Sequence, residues 1–401
     1  MNNKYAVTAI TVILGIAAVF FGKKIFLKDY SGNKVKAGFV YIGDAGTAYT
    51  NNFIRAQTEL EEALQDKVET VAKYNILEKA CDQAIYDLIK QKCNIIFTTS
   101  YGYSQSAKRI AGEHPEVQFC QATGDQANVE PVLANFHNFM GTIYQGRYVS
   151  GVVAGMKLLE LIRAGKIARS QAKIGYVAAF PFAEVISGYT AFFLGARSVV
   201  PECAMTVRYT DTWSNYVIEK KCAETLIYQD GCAIVSQHSD TTGPAIACEE
   251  ASAKRGKIVY HVGYNQSMVD VAPTTSLVSC RIDWAPYIIA ATQAVLKNKR
   301  IESVVKTKIK GNDAGAGFDK NWIEMIGLNK LIAADGTQEE MERIIKQFKN
   351  DSIEVFAGGY IGENPFDKKD IWDLRKPFHE NANRSAPSFG YVLRDVIEVK
   401  Q

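Results

Sequence analysis

Aromatic rings beside short polar side chains recur along this chain: GDAGTAYTN at 43–51, TSYGY at 99–103, FPFAE at 180–184, TDTWSN at 210–215, SDTT at 239–242 and Asp283 with Trp284. A flat ring stacks on a planar heterocycle, while Asp, Asn, Ser and Thr select its edge and any sugar hydroxyls. Together they describe a pocket for a neutral, planar, polar ligand. Patterns that would carry catalysis are missing. There is no GxSxG, HExxH, dinucleotide fingerprint or Walker loop, and the five histidines are widely dispersed. The run GNDAGAGF at 311–318 lacks the Lys-Ser/Thr ending of a phosphate loop and reads as a turn. The eight cysteines, at 81, 93, 120, 203, 222, 232, 248 and 280, show no CxxC or metal-ligand spacing and read as small buried hydrophobes. No catalytic residue, metal or cofactor is expected.

The elements that must position these loops follow one rhythm. Short apolar runs at 35–42, 67–74, 94–98 and 117–122 alternate with amphipathic runs at 52–65, 81–90 and 104–112. The pattern restarts with a long apolar helix at 144–162, strands at 173–179, 205–209, 233–238 and 258–264, and helices at 184–199, 216–229 and 244–255. Alternation of this kind predicts βαβ units and parallel sheets. Two successive sets predict two similar lobes with a cleft between them. In open parallel sheets ligands bind beyond the carboxyl ends of the strands, where the ring-and-polar loops fall.

With 401 residues, 47% hydrophobic and 22% charged, the chain is globular and long enough for two domains. Lys and Arg total 46 against 43 Asp and Glu, with no basic run interleaved with aromatics, so nucleic acid is not an expected partner. The stretch 5–22 carries no charge and is flanked by Lys4, Lys23 and Lys24. It reads as a signal peptide or a signal anchor, with the anchor favoured because no small-x-small cleavage site follows.

The ordered motifs GFVYIGDAGTAYTNNF, IIFTTSYGY, NFHNFMGTIYQGRYVSGVVAGMKL, KIGYVAAFPFAEVISGYTAFFLGARSVVPE, TDTWSN, SQHSDTTGP and VGYNQSM resemble the basic membrane protein (PnrA-like) family, substrate-binding proteins of ABC importers. The resemblance runs from about 35 to about 359. It implies a type I periplasmic-binding-protein fold: α/β, two doubly wound lobes joined by a three-stranded hinge, closing on a purine nucleoside or base and delivering it to a permease. By that resemblance Asp44 and Asn51 lie in a ligand-contacting loop and Tyr49 in a stacking position. Phe182 and Glu184 open the long helix of the second lobe, and Trp213 and Asn215 match the family's Phe-Asn pair. Asp240 lies in a loop that is often Gly-rich, Asn265 stands where nucleoside binders often carry a ribose-reading Asp, and Asp283 with Trp284 where they often carry Lys. Tyr101, in the loop after the third strand, and His238, before the Asp240 loop, complete the candidates. The Asn265, Asp283 and Trp284 departures favour a free base over a nucleoside.

The expected division is 1–34 as signal and linker, 35–138 plus 264–300 as the first lobe, and 139–263 plus 301–401 as the second. The first cysteine is Cys81, so no lipid-bearing cysteine tethers the chain and the hydrophobic amino terminus is left to do so, on the extracytoplasmic face. Two other readings stay open: a ligand-sensing domain for a membrane receptor, or an enzyme of nucleotide or sugar metabolism with a site invisible in sequence. The tail beyond 359 reads as loop-rich with a terminal strand at 391–399, packed against the second lobe.

Overall fold

A computed structural model describes residues 34–400. The apolar runs of the first half become β1 (Val35–Val40), β2 (Val68–Lys73), β3 (Ile95–Thr98), β4 (Gln118–Ala122) and β5 (Phe136–Gly141). With β11 (Asp313–Ala316) they form an all-parallel sheet in the order β11-β5-β4-β3-β1-β2. Every residue of β3 and β5 is buried, as strands covered on both faces must be. Helices α1 (Ala48–Leu64), α2 (Cys81–Lys90) and α3 (Ser104–Glu113) supply the cover.

The second sheet runs β12-β10-β9-β8-β6-β7-β16. It comprises β6 (Lys173–Ala178), β7 (Ala204–Tyr209), β8 (Ile234–His238), β9 (Tyr260–Tyr264), β10 (Ser276–Ile282), β12 (Ile323–Ile326) and β16 (Ile397–Lys400), and β12 runs against its neighbour. Around it lie α4 (Tyr144–Arg163), α5 (Ala183–Val199), α6 (Tyr216–Tyr228), α7 (Gly243–Arg255) and α10 (Thr337–Lys349). Helix α8 (Ala285–Leu296) returns to pack on α1 and β1, followed by the short α9 (Ile301–Val305).

The chain therefore passes between the sheets three times, at 142–143, 283–284 and 317–322. The crossings are bonded side by side: Thr142 N–H donates to the Ala316 carbonyl at 2.9 Å, and Asp283 N–H to the Trp322 carbonyl at 2.8 Å. This places the division differently from the expected one. Strand β5 extends to Gly141 and β11 joins it in the first sheet, whereas β10, expected with the first lobe, pairs in parallel with β9 in the second. No helix intervenes between β9 and β10, so the sequence rhythm had no signal there. The 311–318 run is likewise a strand in its middle, not only a turn. Its small residues lack strand propensity, but Gly315 lies where a Cβ would come within 3.2 Å of Ser385 and 2.8 Å of Ile309.

The tail is more strand-rich than expected. Strands β13 (Ile361–Asn364), β14 (Asp367–Asp373) and β15 (Val392–Leu393) form a small antiparallel sheet, and β16 adds a parallel edge strand beside β7. The single terminal strand expected at 391–399 is split by a turn with Asp395 at φ 65°. Between β14 and β15 the buried Glu380 carboxylate accepts from Ser388 N–H (2.8 Å), Phe389 N–H (2.8 Å) and the Ser187 hydroxyl of α5 (3.0 Å). Ser385 N–H reaches the other half, donating to Asp313 of β11 at 2.9 Å. This tail thus touches both halves.

All eight cysteines are unpaired, and only Cys222 is not fully buried. Burial pushes the Cys81 thiol up to about 12 and the Cys93 thiol to about 11, as expected of core residues. The 5–22 segment lies outside the described residues. Among the described residues no helix is long and apolar enough to cross a membrane.

Helices α4 and α5 cross so closely that a Cβ on Gly195 would strike the Tyr148 carbonyl, and one on Gly151 the Phe192 carbonyl. Backbone cannot yield as a flexible side chain does. Gly195→Ala is expected to cost at least about 2 kcal/mol, read as a lowered midpoint in urea at unchanged slope.

Candidate functional site

The carboxyl ends of the two sheets face each other across the crossings, and the loops there hold most of the candidate residues. From the first half, Tyr49 in the opening turn of α1 donates its hydroxyl to the Thr99 carbonyl at 2.7 Å. Burial pushes this hydroxyl's ionisation far up, with the Glu184, Tyr264 and Asp240 charges of the second half adding to it. Tyr49 is thus within electrostatic reach of the opposite wall.

That wall is built on three loops. After β6, Phe180 and Phe182 stack at 5.3 Å with planes 20° apart. After β7, Trp213 stands 5.5 Å from Phe180 and 6.3 Å from the His238 ring. Phe182 and Trp213 are 53% and 38% exposed. After β8, Asp240 N–H donates to the Trp213 carbonyl at 2.9 Å, and its carboxylate accepts from Asn265 Nδ2 at 3.1 Å. Burial pushes the Asp240 carboxyl up to about 7; the Asn265 bond opposes this, and the Glu219 and Glu184 carboxylates reinforce it. His238 is buried, with Nε2 3.6 Å from Glu184 Oε1. Desolvation, and then the Arg147 cation, pull its imidazole down to about 4, against the pull of Glu184.

The structure brings together Tyr49, Phe182, Glu184, Trp213, His238, Asp240 and Asn265. It places the other candidates elsewhere. Asp44 is exposed and closes a turn, accepting from Gly46 N–H at 2.9 Å and Asn75 Nδ2 at 3.0 Å; the Asn75 bond lowers its carboxyl. Asn51 is exposed, and its neighbour Asn52 is the buried one, donating to the Asn265 carbonyl at 3.0 Å across the two halves. Tyr101 is 58% exposed on the rim. Asn215 caps α6, accepting from Ile218 N–H at 3.1 Å. Asp283 caps α8 through Ala285 N–H at 3.1 Å and lies 3.5 Å from Arg55. Trp284 is buried, stacked on Phe53 at 4.3 Å and edge-on to Phe139, because the crossing at 283–284 turns inward.

Sequence reasoning missed Asn52, Arg147, Phe180, Glu219 and Tyr264. Phe180 and Asn52 adjoin residues that were chosen, so the loop signal reached them. Glu219 carries no such signal: it lies inside α6, fully buried, and accepts from Asn215 N–H at 2.8 Å, Thr241 N–H at 3.1 Å and the Thr241 hydroxyl at 2.6 Å. One carboxylate therefore ties the Trp213 loop to the Asp240 loop. Among the described residues no group of His, Cys, Asp and Glu could hold a metal.

Residues 45–357 match the profile of the ABC transporter substrate-binding protein PnrA-like family. The chain belongs to that family. Its members are solute-binding proteins of ABC transporters rather than enzymes, and such proteins work outside the cytoplasm. A purine-binding protein of Brucella abortus is 34% identical over 269 residues, 67% of this chain and 70% of its own. A protein of Haloferax volcanii, provisionally named an ABC transporter glucose-binding protein, is 26% identical over 337 residues, 83% of this chain and 77% of its own. Among solved structures, ABC transporter solute-binding proteins from Conexibacter woesei and Aeropyrum pernix superpose with TM-scores of 0.62 and 0.64 at 14% and 13% identity, each covering 80% of this chain and 97% and 92% of theirs. They share the two-lobed type I fold. Strands β13 to β16 lie beyond the span matched by the family profile.

The Trp213 and Asp240 loops should depend on Glu219. Glu219→Ala strands the N–H groups of Asn215 and Thr241 and is expected to cost about 2–3 kcal/mol in chemical denaturation. Asp240 gives a pH test. Its folded-state value lies above the unfolded one, so between about 4 and 7 the folded chain holds a proton that the unfolded chain has lost, and stability falls as pH rises. Asp240→Asn removes that loss and should gain roughly 3 kcal/mol on wild type between pH 4.5 and 7.5. His238, lowered to about 4, acts with the opposite sign between 4 and 6.5 in both proteins, so the difference isolates Asp240.

Proposed function

We propose that this substrate-binding protein captures a purine in the cleft between its two halves, and that the uncharged 5–22 segment tethers it to the extracytoplasmic membrane face beside its permease. The observation that carries the reading is the exposed ring platform of Phe180, Phe182 and Trp213 beside the Glu184 and Asp240 carboxylates. The rings offer a stacking face to a flat heterocycle, and the carboxylates accept N–H groups on its edge. The Brucella abortus relative, named for purine binding, supports the same class. A free base fits better than a nucleoside. Asn265, at the family's ribose-reading position, has its side-chain amide on Asp240 and its carbonyl on Asn52, and Asp283 is turned to α8.

Capture needs no bond-making step. The rings order the base by dispersion, the carboxylates fix its edge, and approach of the two halves excludes water so that each hydrogen bond strengthens.

Thermal melts against adenine, hypoxanthine, adenosine, inosine, uridine, ribose and glucose test this. Ligand at about 100 times its Kd adds roughly 2.7 kcal/mol. Adenine or hypoxanthine should raise the melt and glucose should not. A rise with glucose alone would overturn the purine reading, and a rise with nucleosides alone would overturn the preference for a base. Trp213→Ala should weaken purine binding roughly tenfold or more. A base N–H bonded to Asp240 stabilises the carboxylate, so binding should release protons near pH 6–7, seen as a buffer-dependent calorimetric heat that Asp240→Asn abolishes.

A further inference from the structure

Arg147, on the first turns of α4, is 1% exposed and makes no ion pair among the described residues. One guanidinium nitrogen, Nη1, donates to the Gln237 carbonyl at 2.8 Å, and the group lies flat over the Tyr264 ring at 3.6 Å. Its Nε and Nη2 have no partner. A buried cation with two idle donors is costly, and a scaffold keeps one where its field acts on something.

What it faces is His238, whose two ring nitrogens are also buried without a hydrogen-bond partner. The two side chains converge on Gly188 of α5: a Cβ there would sit 2.8 Å from His238 Nδ1 and 3.7 Å from Arg147 Nε. His238 Nδ1 and Arg147 Nε thus border the same small space beside Gly188, while Nε2 lies 3.6 Å from Glu184 Oε1. The guanidinium offers only N–H donors and the Glu184 carboxylate only acceptor oxygens, so the neutral tautomer that suits both neighbours carries its proton on Nε2. Closure by about 0.6 Å brings Nε2–H to hydrogen-bonding distance of Glu184.

We propose that Arg147 is a specificity-determining positioning residue: acting through His238, it fixes the neutral Nε2–H imidazole that orients the Glu184 carboxylate as acceptor for an N–H on the edge of the bound heterocycle. The inference rests on the purine reading for its ligand, though the relay itself does not. It selects a neutral planar ligand bearing an edge N–H, because the Arg147 and Glu184 charges cancel. The charged and titratable groups facing this pair are Glu184 of α5, Asp240 of the β8 loop, Tyr176 of β6, Tyr264 of β9 and Cys280 of β10. The lowering of His238 by Arg147 agrees with the geometry.

The test is nitrogen NMR of the protein labelled at its five histidines, with His238→Gln assigning the His238 signals. Wild type should keep His238 neutral and protonated at Nε2 from pH 8 to about 5. Arg147→Met should raise its titration midpoint by about one unit or more and release the Nδ1–H tautomer, whereas Arg147→Lys should preserve both features. Arg147→Gln, neutral and able to keep the Gln237 bond, replaces methionine if that variant does not fold. Adenine or hypoxanthine affinity should fall about tenfold in the neutral variants and stay within about threefold in Arg147→Lys. An Nδ1–H tautomer in wild type, or a midpoint unmoved in the neutral variants, overturns the proposal. If wild type binds no purine while the titration behaves as stated, the relay stands and the purine reading falls.

Discussion

Three chain crossings packed side by side govern this structure, and their closeness depends on one missing side chain. A Cβ on Gly141 would come within 2.8 Å of Ile282 and 3.0 Å of Ile323, the strand ends at the other two crossings. Strands β5, β10 and β12 end there, and one hydrophobic cluster runs on through both halves. The crossings are paired through the Thr142–Ala316 and Asp283–Trp322 bonds. Contacts beyond the joint add to them. Asn52 on Asn265, and Arg55 with Glu324 and Asp283, lie on one face of α1 and span the halves on its flank.

Within the second half, the residues that face the cleft and those that hold its loops are different. Phe180, Phe182, Trp213 and Glu184 are at least partly exposed and present rings and charge to the cleft. Glu219 and Arg147 are buried and present nothing to it directly. Glu219 joins two loops through three hydrogen bonds, and Arg147 holds the Gln237 carbonyl just before His238. Loops of Ser, Thr, Asp and Asn have little apolar area of their own to fix them, so such buried polar anchors set their geometry.

The sequence made the repeating parts legible and left the irregular ones hidden. Strands β1, β3, β4 and β6 to β9, and the helices that follow all of them but β4 and β9, were readable because a covered parallel strand is a short apolar run bounded by polar turns. Strand β10 was assigned to the wrong half because no helix separates it from β9, and β11 was hidden because Asp-Ala-Gly-Ala has no strand composition of its own. At the site, loop chemistry pointed to Trp213, Asp240 and Glu184. It also pointed to Asn215, Asp283 and Trp284, whose polar or aromatic character serves helix caps and a buried crossing. The same residue types cap helices and bind ligands, so spacing alone does not separate the two roles. Arg147 was unreadable for a further reason. In an apolar helix an arginine looks like a surface residue, and only tertiary packing puts this one against Tyr264.

The tail bears on how the halves are held. Glu380 fastens it to α5, whose first turn carries Glu184, while Ser385 N–H fastens it to Asp313 on the far side of the crossings. Burial raises the Asp313 carboxyl despite the bonds from Ser385, so that contact lies in a largely desolvated place. Arg384 adds a charge felt by both Asp313 and Tyr101 on the cleft rim. A segment bonded to both moving bodies couples its own packing to their separation. The two halves are therefore linked by the crossings at one end and by this strap along one side. Since β16 fixes the far end of the tail in the second sheet, the 381–388 turn reaches the first half from a base in the second.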